Sequence, residues 1–184
     1  MGKLRLVAAV IGGASILFFA QHDFAGSMQT RGDYAAALDR VSVAHKEARA
    51  KCDVLAGHDK DMCVVEAEAA ERRAKASADV DYKGTIKSKT DRRIADTYAD
   101  YMIARVACNT GPGQEKKACI KQAHATQLKL VAEAKADKTT ADARAAARED
   151  ARNAQYQVAF VRCEAMSAVA KDICVVPARS NFGK

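Results

Sequence analysis

Three pairs of cysteines with one spacing constrain this chain more than any other feature of its sequence. Ten residues separate the two cysteines of each pair, and successive pairs begin 56 and 55 positions apart. The pairs are Cys52 with Cys63, Cys108 with Cys119, and Cys163 with Cys174. Because self-similarity at a fixed period indicates a repeated structural unit, the chain is predicted to contain three copies of one unit.

The composition predicts that these units are helical. Alanine, the best helix former, supplies roughly a fifth of the 184 residues, and there are only two prolines. No run of residues alternates β-branched and polar side chains as a strand does. Large apolar side chains are sparse after residue 20. We therefore predict an all-α fold in which helices pack side by side over small residues, without a thick core.

A disulfide within each pair requires a bend between its cysteines. In a straight helix two residues 11 apart lie about 16 Å apart, whereas a disulfide requires Cα atoms about 5.5 Å apart. Residues 56–59 predict the first bend, with Gly57 as a left-handed helix end and Asp59 as the next N-cap. Residues 111–113, Gly-Pro-Gly, predict the second. Each pair is thus expected to staple an antiparallel hairpin and to stabilise it by about 2–3 kcal/mol.

The third unit has a weaker bend signal. Only Ser167 interrupts the segment between Cys163 and Cys174, which lacks glycine and proline. By analogy with the other units we favour a hairpin here too. The alternative is a continuous helix, which would leave the two cysteines unpaired with each other.

Each unit also shows a coiled-coil-like seam, in which small or apolar residues are spaced alternately four and three apart. In the first unit these are Tyr34, Leu38, Val41, His45, Ala48, Cys52 and Leu55, facing Cys63, Ala67, Ala70, Ala74 and Ser77. In the others they are Ile94, Tyr101, Ala104 and Cys108, and then Tyr156, Ala159, Cys163 and Met166.

Capping-box patterns precede each first cysteine by 20 to 24 residues and predict a helix start there. They begin at Thr30, Ser88 and Thr139. They favour two helices of about 20 residues per unit, although continuous helices over 60–108 and 114–164 remain an alternative. The predicted organisation is a signal peptide or anchor at 1–27, hairpin repeats at 28–83, 84–138 and 139–177, the last truncated by Pro177, and a polar tail at 178–184.

The N-terminus predicts export. Lys3 and Arg5 precede an apolar stretch from Leu6 to Ala20, which has the proportions of a secretory signal and is short for a membrane span. Residues 25–27, Ala-Gly-Ser, fit a cleavage site. Six cysteines behind such a signal favour disulfides in the periplasm. The alternative is an uncleaved segment that anchors the chain in the inner membrane, facing the periplasm.

No pattern in the chain predicts catalysis, a cofactor or a metal. None of the histidines, His22, His45, His58 and His124, stands at a metal-ligand spacing from another ligand. His45 is predicted to be a packing residue of the seam. The repeated lysines Lys60, Lys116 and Lys171 suggest a binding role, but a solvated helix face is the simpler interpretation.

The segment from Cys52 to Val64 resembles segments of a loose group of exported Ala/Lys-rich helical proteins of Gram-negative bacteria, often labelled TolA-like. The likeness covers about residues 30–176 and implies no catalytic residues.

The predicted function is non-enzymatic: an exported structural or interaction protein of the cell envelope. The expected partner is another envelope protein, a second copy of the chain or an anionic envelope polymer. The net charge of +7 favours the polymer. No motif for nucleic acid is present, and membrane contact is expected only if the N-terminal segment is retained. The alternatives are a thiol-redox or metal-handling periplasmic protein and an inner-membrane-anchored helical stalk.

The position of the mature N-terminus tests the export prediction. If the signal is cleaved after the Ala-Gly-Ser segment, intact-mass spectrometry of the exported protein should find a chain that starts near Met28. A mass that includes residues 1–27 in the membrane fraction would instead establish the anchored alternative.

Overall fold

The computed structural model describes residues 30–184, and helices cover 92% of this range. The five α-helices are α1 (Arg31–Lys51), α2 (Gly57–Lys83), α3 (Ile86–Ala107), α4 (Gly113–Glu164) and α5 (Ala168–Phe182). Short 3-10 turns at Cys52–Val54 and Cys108–Thr110 follow α1 and α3. Residues 30–184 contain no strand, so the all-α prediction is confirmed. The predicted signal or anchor at 1–27 lies outside the described residues.

Each helix packs mainly against its neighbours in the chain. The helix α2 lies between α1 and α3, and α3 lies between α2 and α4. With 52 residues, α4 is about 78 Å long. Its less exposed positions recur every three or four residues from Lys116 to Cys163, which places them on one face. This face packs against α3 in the first half of α4 and against α5 in the second half.

The interior between these helices is made of small side chains. The buried apolar residues are cysteines, alanines and one valine, Val65. Ala69 and Ala99 are fully buried where α2 meets α3, and Ala134 is buried where α4 meets α3. Small residues allow helix backbones to approach closely but remove little apolar surface from water. The prediction of a thin small-residue seam is confirmed.

The helical periodicity of the first seam is also present in the structure. Tyr34, Val41, His45 and Ala48 are partly buried, and Cys52 is fully buried. Three residues predicted to lie in the seams are exposed instead. Leu55 follows the first 3-10 turn, Ala70 lies in α2, and Met166 lies in the third bend.

Two of the three predicted helix starts were wrong. The first is confirmed, because Thr30 and Asp33 form a capping box at the start of α1. The helix α3 begins earlier than predicted, at Ile86, and Thr85 caps it by accepting a hydrogen bond from the Ser88 amide. At the third position α4 continues without a break.

The hydroxyl groups explain how α4 passes through its two threonines. The side chains of Thr139 and Thr140 donate to the carbonyls of Lys135 and Ala136, one turn earlier in the same helix. These bonds satisfy the hydroxyls inside the helix, so the threonines do not act as caps. A continuous helix over 114–164, left open by the sequence, is therefore the correct alternative for this segment.

Between the first and second disulfides the chain does not form one long helix, as it does in α4. A single glycine there makes the chain fold back into two helices. Gly84 ends α2 in the left-handed conformation with φ 60° and donates its amide to the Val80 carbonyl. Only Gly84 and Thr85 connect α2 to α3. The continuous helix over 60–108 is therefore wrong, and the two-helix alternative holds for residues 57–107.

The bends themselves differ in detail from the prediction. Gly57 has the expected left-handed φ of 56°, but it is the first residue of α2, so Asp59 lies in the first turn instead of capping it. Pro177 does not end the third hairpin, because α5 continues to Phe182. Ala178 is buried there, and the Phe182 ring lies 6.0 Å from that of Tyr156 in α4.

Replacing Gly84 tests whether its left-handed conformation holds the α2–α3 connection. Gly84→Ala should lower the free energy of unfolding by about 1 kcal/mol, because an L-residue is strained at positive φ. Urea denaturation of the oxidised protein measures the change. The matched control is Gly113→Ala at the start of α4, where an added Cβ meets no atom within 4 Å. An equal loss in both variants would contradict this role of Gly84.

Candidate interaction surfaces

All six cysteines form disulfides, and each disulfide closes a bend. The Cα–Cα distances are 5.6 Å for Cys52–Cys63, 5.7 Å for Cys108–Cys119 and 5.4 Å for Cys163–Cys174. The predicted pairing is therefore confirmed, including the third hairpin, whose bend lies between Glu164 and Ala168 with Ser167 at the N-cap position. The first cysteine of each pair is buried. Disulfides of this number are typical of an oxidising compartment outside the cytoplasm.

The repeated lysines lie in the first turns of α2, α4 and α5, and two of them reach across their bends. Lys60 is 3.6 Å from Asp53, and Lys171 is 3.6 Å from Glu164. In the second unit the position of the acid is occupied by Asn109, which cannot form the ion pair. Lys60 and Lys171 thus bridge the first and third bends, and Lys116 is left as the candidate for contact with an anion.

A polar cluster joins the start of α1 to the end of α2. The Tyr34 hydroxyl donates to Asp79 Oδ1 at 2.6 Å, and the Lys83 ammonium donates to the same oxygen at 2.8 Å. The Tyr34 ring also stacks on Tyr82, with 4.6 Å between ring centroids. The hydrogen bonds from Lys83 and Tyr34 lower the pKa of Asp79 below its ordinary value. The bond to Asp79 in turn raises the pKa of Tyr34.

His45 lies halfway along the same pair of helices. Its Nδ1 atom is 3.3 Å from Glu71 Oε2. The Lys75 ammonium donates to the other carboxylate oxygen, Glu71 Oε1, at 2.8 Å. The hydrogen bond from Lys75 is the main reason that the pKa of Glu71 is lowered, and His45 adds to it. The His45 Nε2 atom is buried without a hydrogen-bond partner. The described residues contain no group of three or more potential metal ligands.

Two open grooves run along the first and second hairpins. The groove between α1 and α2 has a volume of about 740 Å³, and that between α3 and α4 about 490 Å³. Equivalent positions of the repeat line both. They include Val41 and Thr97, His45 and Tyr101, Ala48 and Ala104, Glu71 and Gln127, and Ala74 and Leu130. Both grooves are mainly apolar, which suits an apolar side chain better than a charged group.

Ion pairs and one cation–π contact join neighbouring helices. Arg73 of α2 pairs with Asp100 of α3, and Arg93 of α3 pairs with Asp137 of α4 at 2.7 Å. The Arg72 guanidinium lies over the Tyr98 ring at 4.4 Å. The sequence did not predict these contacts, because no local spacing links residues on different helices. The exposed apolar face of α5 was not predicted either, although the spacing of Val169, Ile173 and Val176 is a signal for it.

No protein-family model, curated protein or solved structure matches this chain. The fold and its staples define an all-α protein of successive helical hairpins with C-x10-C disulfides at three bends. The resemblance to TolA-like proteins gains no support from these comparisons. Within residues 30–184, no helix has the length and apolar character needed to span a membrane.

The polar cluster at Asp79 predicts a dependence of stability on pH. A carboxylate with a lowered pKa in the folded state adds stability that is present above its ordinary pKa of 3.8 and is lost as the pH falls below that value. Between about pH 5 and pH 2 the free energy of unfolding should therefore fall less in Asp79→Asn than in the unmodified chain. The effect should stay under about 1 kcal/mol, since this side chain is partly exposed.

The control for this variant is Asp39→Asn, at an exposed position of α1. Thermal unfolding of each protein across the acid range gives the comparison. If Asp79→Asn and Asp39→Asn have the same pH profile as the unmodified chain, the Tyr34–Asp79–Lys83 cluster does not contribute to acid stability.

Proposed function

We propose that this chain is a non-enzymatic, exported structural or interaction protein of the bacterial cell envelope. The observation that carries the proposal is that all six cysteines are joined in disulfides that close helical bends. Because cytoplasmic thiols are kept reduced, such a set of staples fits a protein that works in the periplasm.

The shape of the hairpins supports a role in binding another macromolecule. Each helix packs mainly on its chain neighbours, so much of every helix surface faces solvent. The grooves are open along the hairpins and lined mainly by small apolar residues such as Ala67 and Ala104. Open faces of this kind suit a helix or polymer partner better than an enclosed small molecule.

Three classes of partner fit these faces: another envelope protein, a second copy of the chain, and an anionic envelope polymer. The polymer is supported by the net charge of +7 and by the lysines at the start of α4, Lys116, Lys117 and Lys121. The TolA-like resemblance of the sequence agrees with a role in the envelope.

A thiol-redox role is the second candidate, and one observation favours it. Cys119 is exposed and lines the α3–α4 groove, whereas its partner Cys108 is buried. A thiolate that attacks the Cys119 sulfur would form a mixed disulfide there and release Cys108 as the leaving thiolate. Burial disfavours that thiolate, and this favours the structural role.

The test is to express the full chain in a Gram-negative host, separate the periplasm from the cytoplasm, and count free thiols by mass spectrometry. We expect periplasmic protein with no free thiol and with the three pairings intact after equilibration with a glutathione buffer. Cytoplasmic protein with six free thiols would overturn the proposal. Reversible opening of Cys108–Cys119 alone would support the redox role in its place.

The Cys108→Ser/Cys119→Ser variant serves as the control for that comparison. It keeps two staples, so any remaining exchange with glutathione must come from the first or third disulfide. Loss of the second staple should lower the free energy of unfolding by about 2–3 kcal/mol.

A further inference from the structure

The outer face of α5 carries a stripe of exposed apolar side chains. Val169, Ile173 and Val176 are 75%, 71% and 69% exposed. They are spaced four and three residues apart, so they share one side of the helix. The side that packs on α4 carries Cys174 and Ala178, which are far less exposed. At 100° per residue the stripe points almost directly away from α4.

The first unit shows what covers the equivalent face there. Aligning Cys174 with Cys63 places Ile173 and Val176 at the positions of Met62 and Val65 in α2. Val65 is only 5% exposed, because α3 packs over it and places two apolar side chains nearby. These side chains are Met102 and Val106.

The second unit provides the contrast. The equivalent positions in α4 are Ala118 and Lys121, on a face that no described helix covers. Where the face is open to solvent, the chain has a small and a charged residue; where a helix covers it, the residues are apolar. The helix α5 has the apolar residues of a covered face, yet α4 is the helix against which it packs.

The charges beside the stripe indicate the orientation of the covering helix. Asp172 and Arg179 are exposed, lie seven residues apart on one flank of the stripe, and form no ion pair within residues 30–184. If a second α5 packs antiparallel across a two-fold axis, Asp172 of each copy faces Arg179 of the other. A parallel arrangement does not bring these opposite charges together.

We propose that α5 is the surface through which two copies of this chain associate, antiparallel and about a two-fold axis. The stripe residues of both copies form its centre, and two Asp172–Arg179 pairs lie along one edge of it. In this assembly the partner in the proposed structural role is a second copy of the chain, so the inference rests on the proposed function. The stripe is short compared with a standard interface of about 800 Å² per partner, so the dimer should form in a concentration-dependent manner.

Sedimentation equilibrium of the oxidised full chain over a range of concentrations tests the proposal. The unmodified protein should shift from monomer to dimer, and Ile173→Lys should stay monomeric at every concentration. The substituted side chain is exposed, so circular dichroism and the disulfide map should not change. The matched control is Val161→Lys on the outer face of α4, at a residue 61% exposed, which should still dimerise.

Charge reversal tests the orientation. Asp172→Arg should weaken the dimer by placing two positive charges together, and Asp172→Arg combined with Arg179→Asp should restore it. Failure of the double variant to restore association would overturn the antiparallel pairing. Growth beyond a dimer, or loss of association in Val161→Lys but not in Ile173→Lys, would overturn the two-fold contact through α5.

The two proposals fail in different ways. A protein that is monomeric at all concentrations but periplasmic and fully oxidised would overturn the α5 dimer and leave the envelope role standing. A protein found in the cytoplasm with free thiols would overturn the envelope role whatever its oligomeric state.

Discussion

The covalent bond across each stapled bend is the constraint on which the rest of this structure depends. Helices that meet through alanine remove little apolar surface from water, so packing alone gives each hairpin modest stability. A disulfide limits the unfolded ensemble instead, and its effect does not require large side chains. The buried positions of Cys52, Cys108 and Cys163 place the bonds inside the seam, where they hold the two legs close enough for alanine to fill the space.

The stapled bends leave open how the hairpins are joined, and there weak local signals have large consequences. Gly84 turns one repeat-length segment into two antiparallel helices, while the corresponding segment belongs to α4, a single helix of 52 residues. The first arrangement brings α2 against α3 and buries Val65, Ala69 and Ala99. The second carries the third hairpin away from the others, so α5 has α4 as its neighbour and exposes the face that α3 covers in the first unit.

This separation connects the architecture to the proposed role. A protein made of thin hairpins has little interior in which to enclose a ligand, and its chemistry lies on helix faces. The faces are not equivalent: the first two hairpins have open apolar grooves, the start of α4 carries lysines, and the third hairpin carries an apolar stripe flanked by opposite charges. Such variation between repeats is consistent with contacts that are specialised by unit, with α5 suited to a second copy.

The sequence by itself determined the all-α class, the first two cysteine pairings, the glycine bends that go with them and the capping box at Thr30, because each depends on residues close together in the chain. For the third pairing it offered analogy with the other two units, and the structure decided it. Tertiary structure decided the rest. Thr139 and Gly84 are both weak local breaks, and the outcome depends on whether the flanking helices gain by packing together. Pro177 stays inside α5 because Ala178 and Phe182 pack on α4 beyond it. Which apolar face remains open on α5 likewise depends on where its neighbours lie.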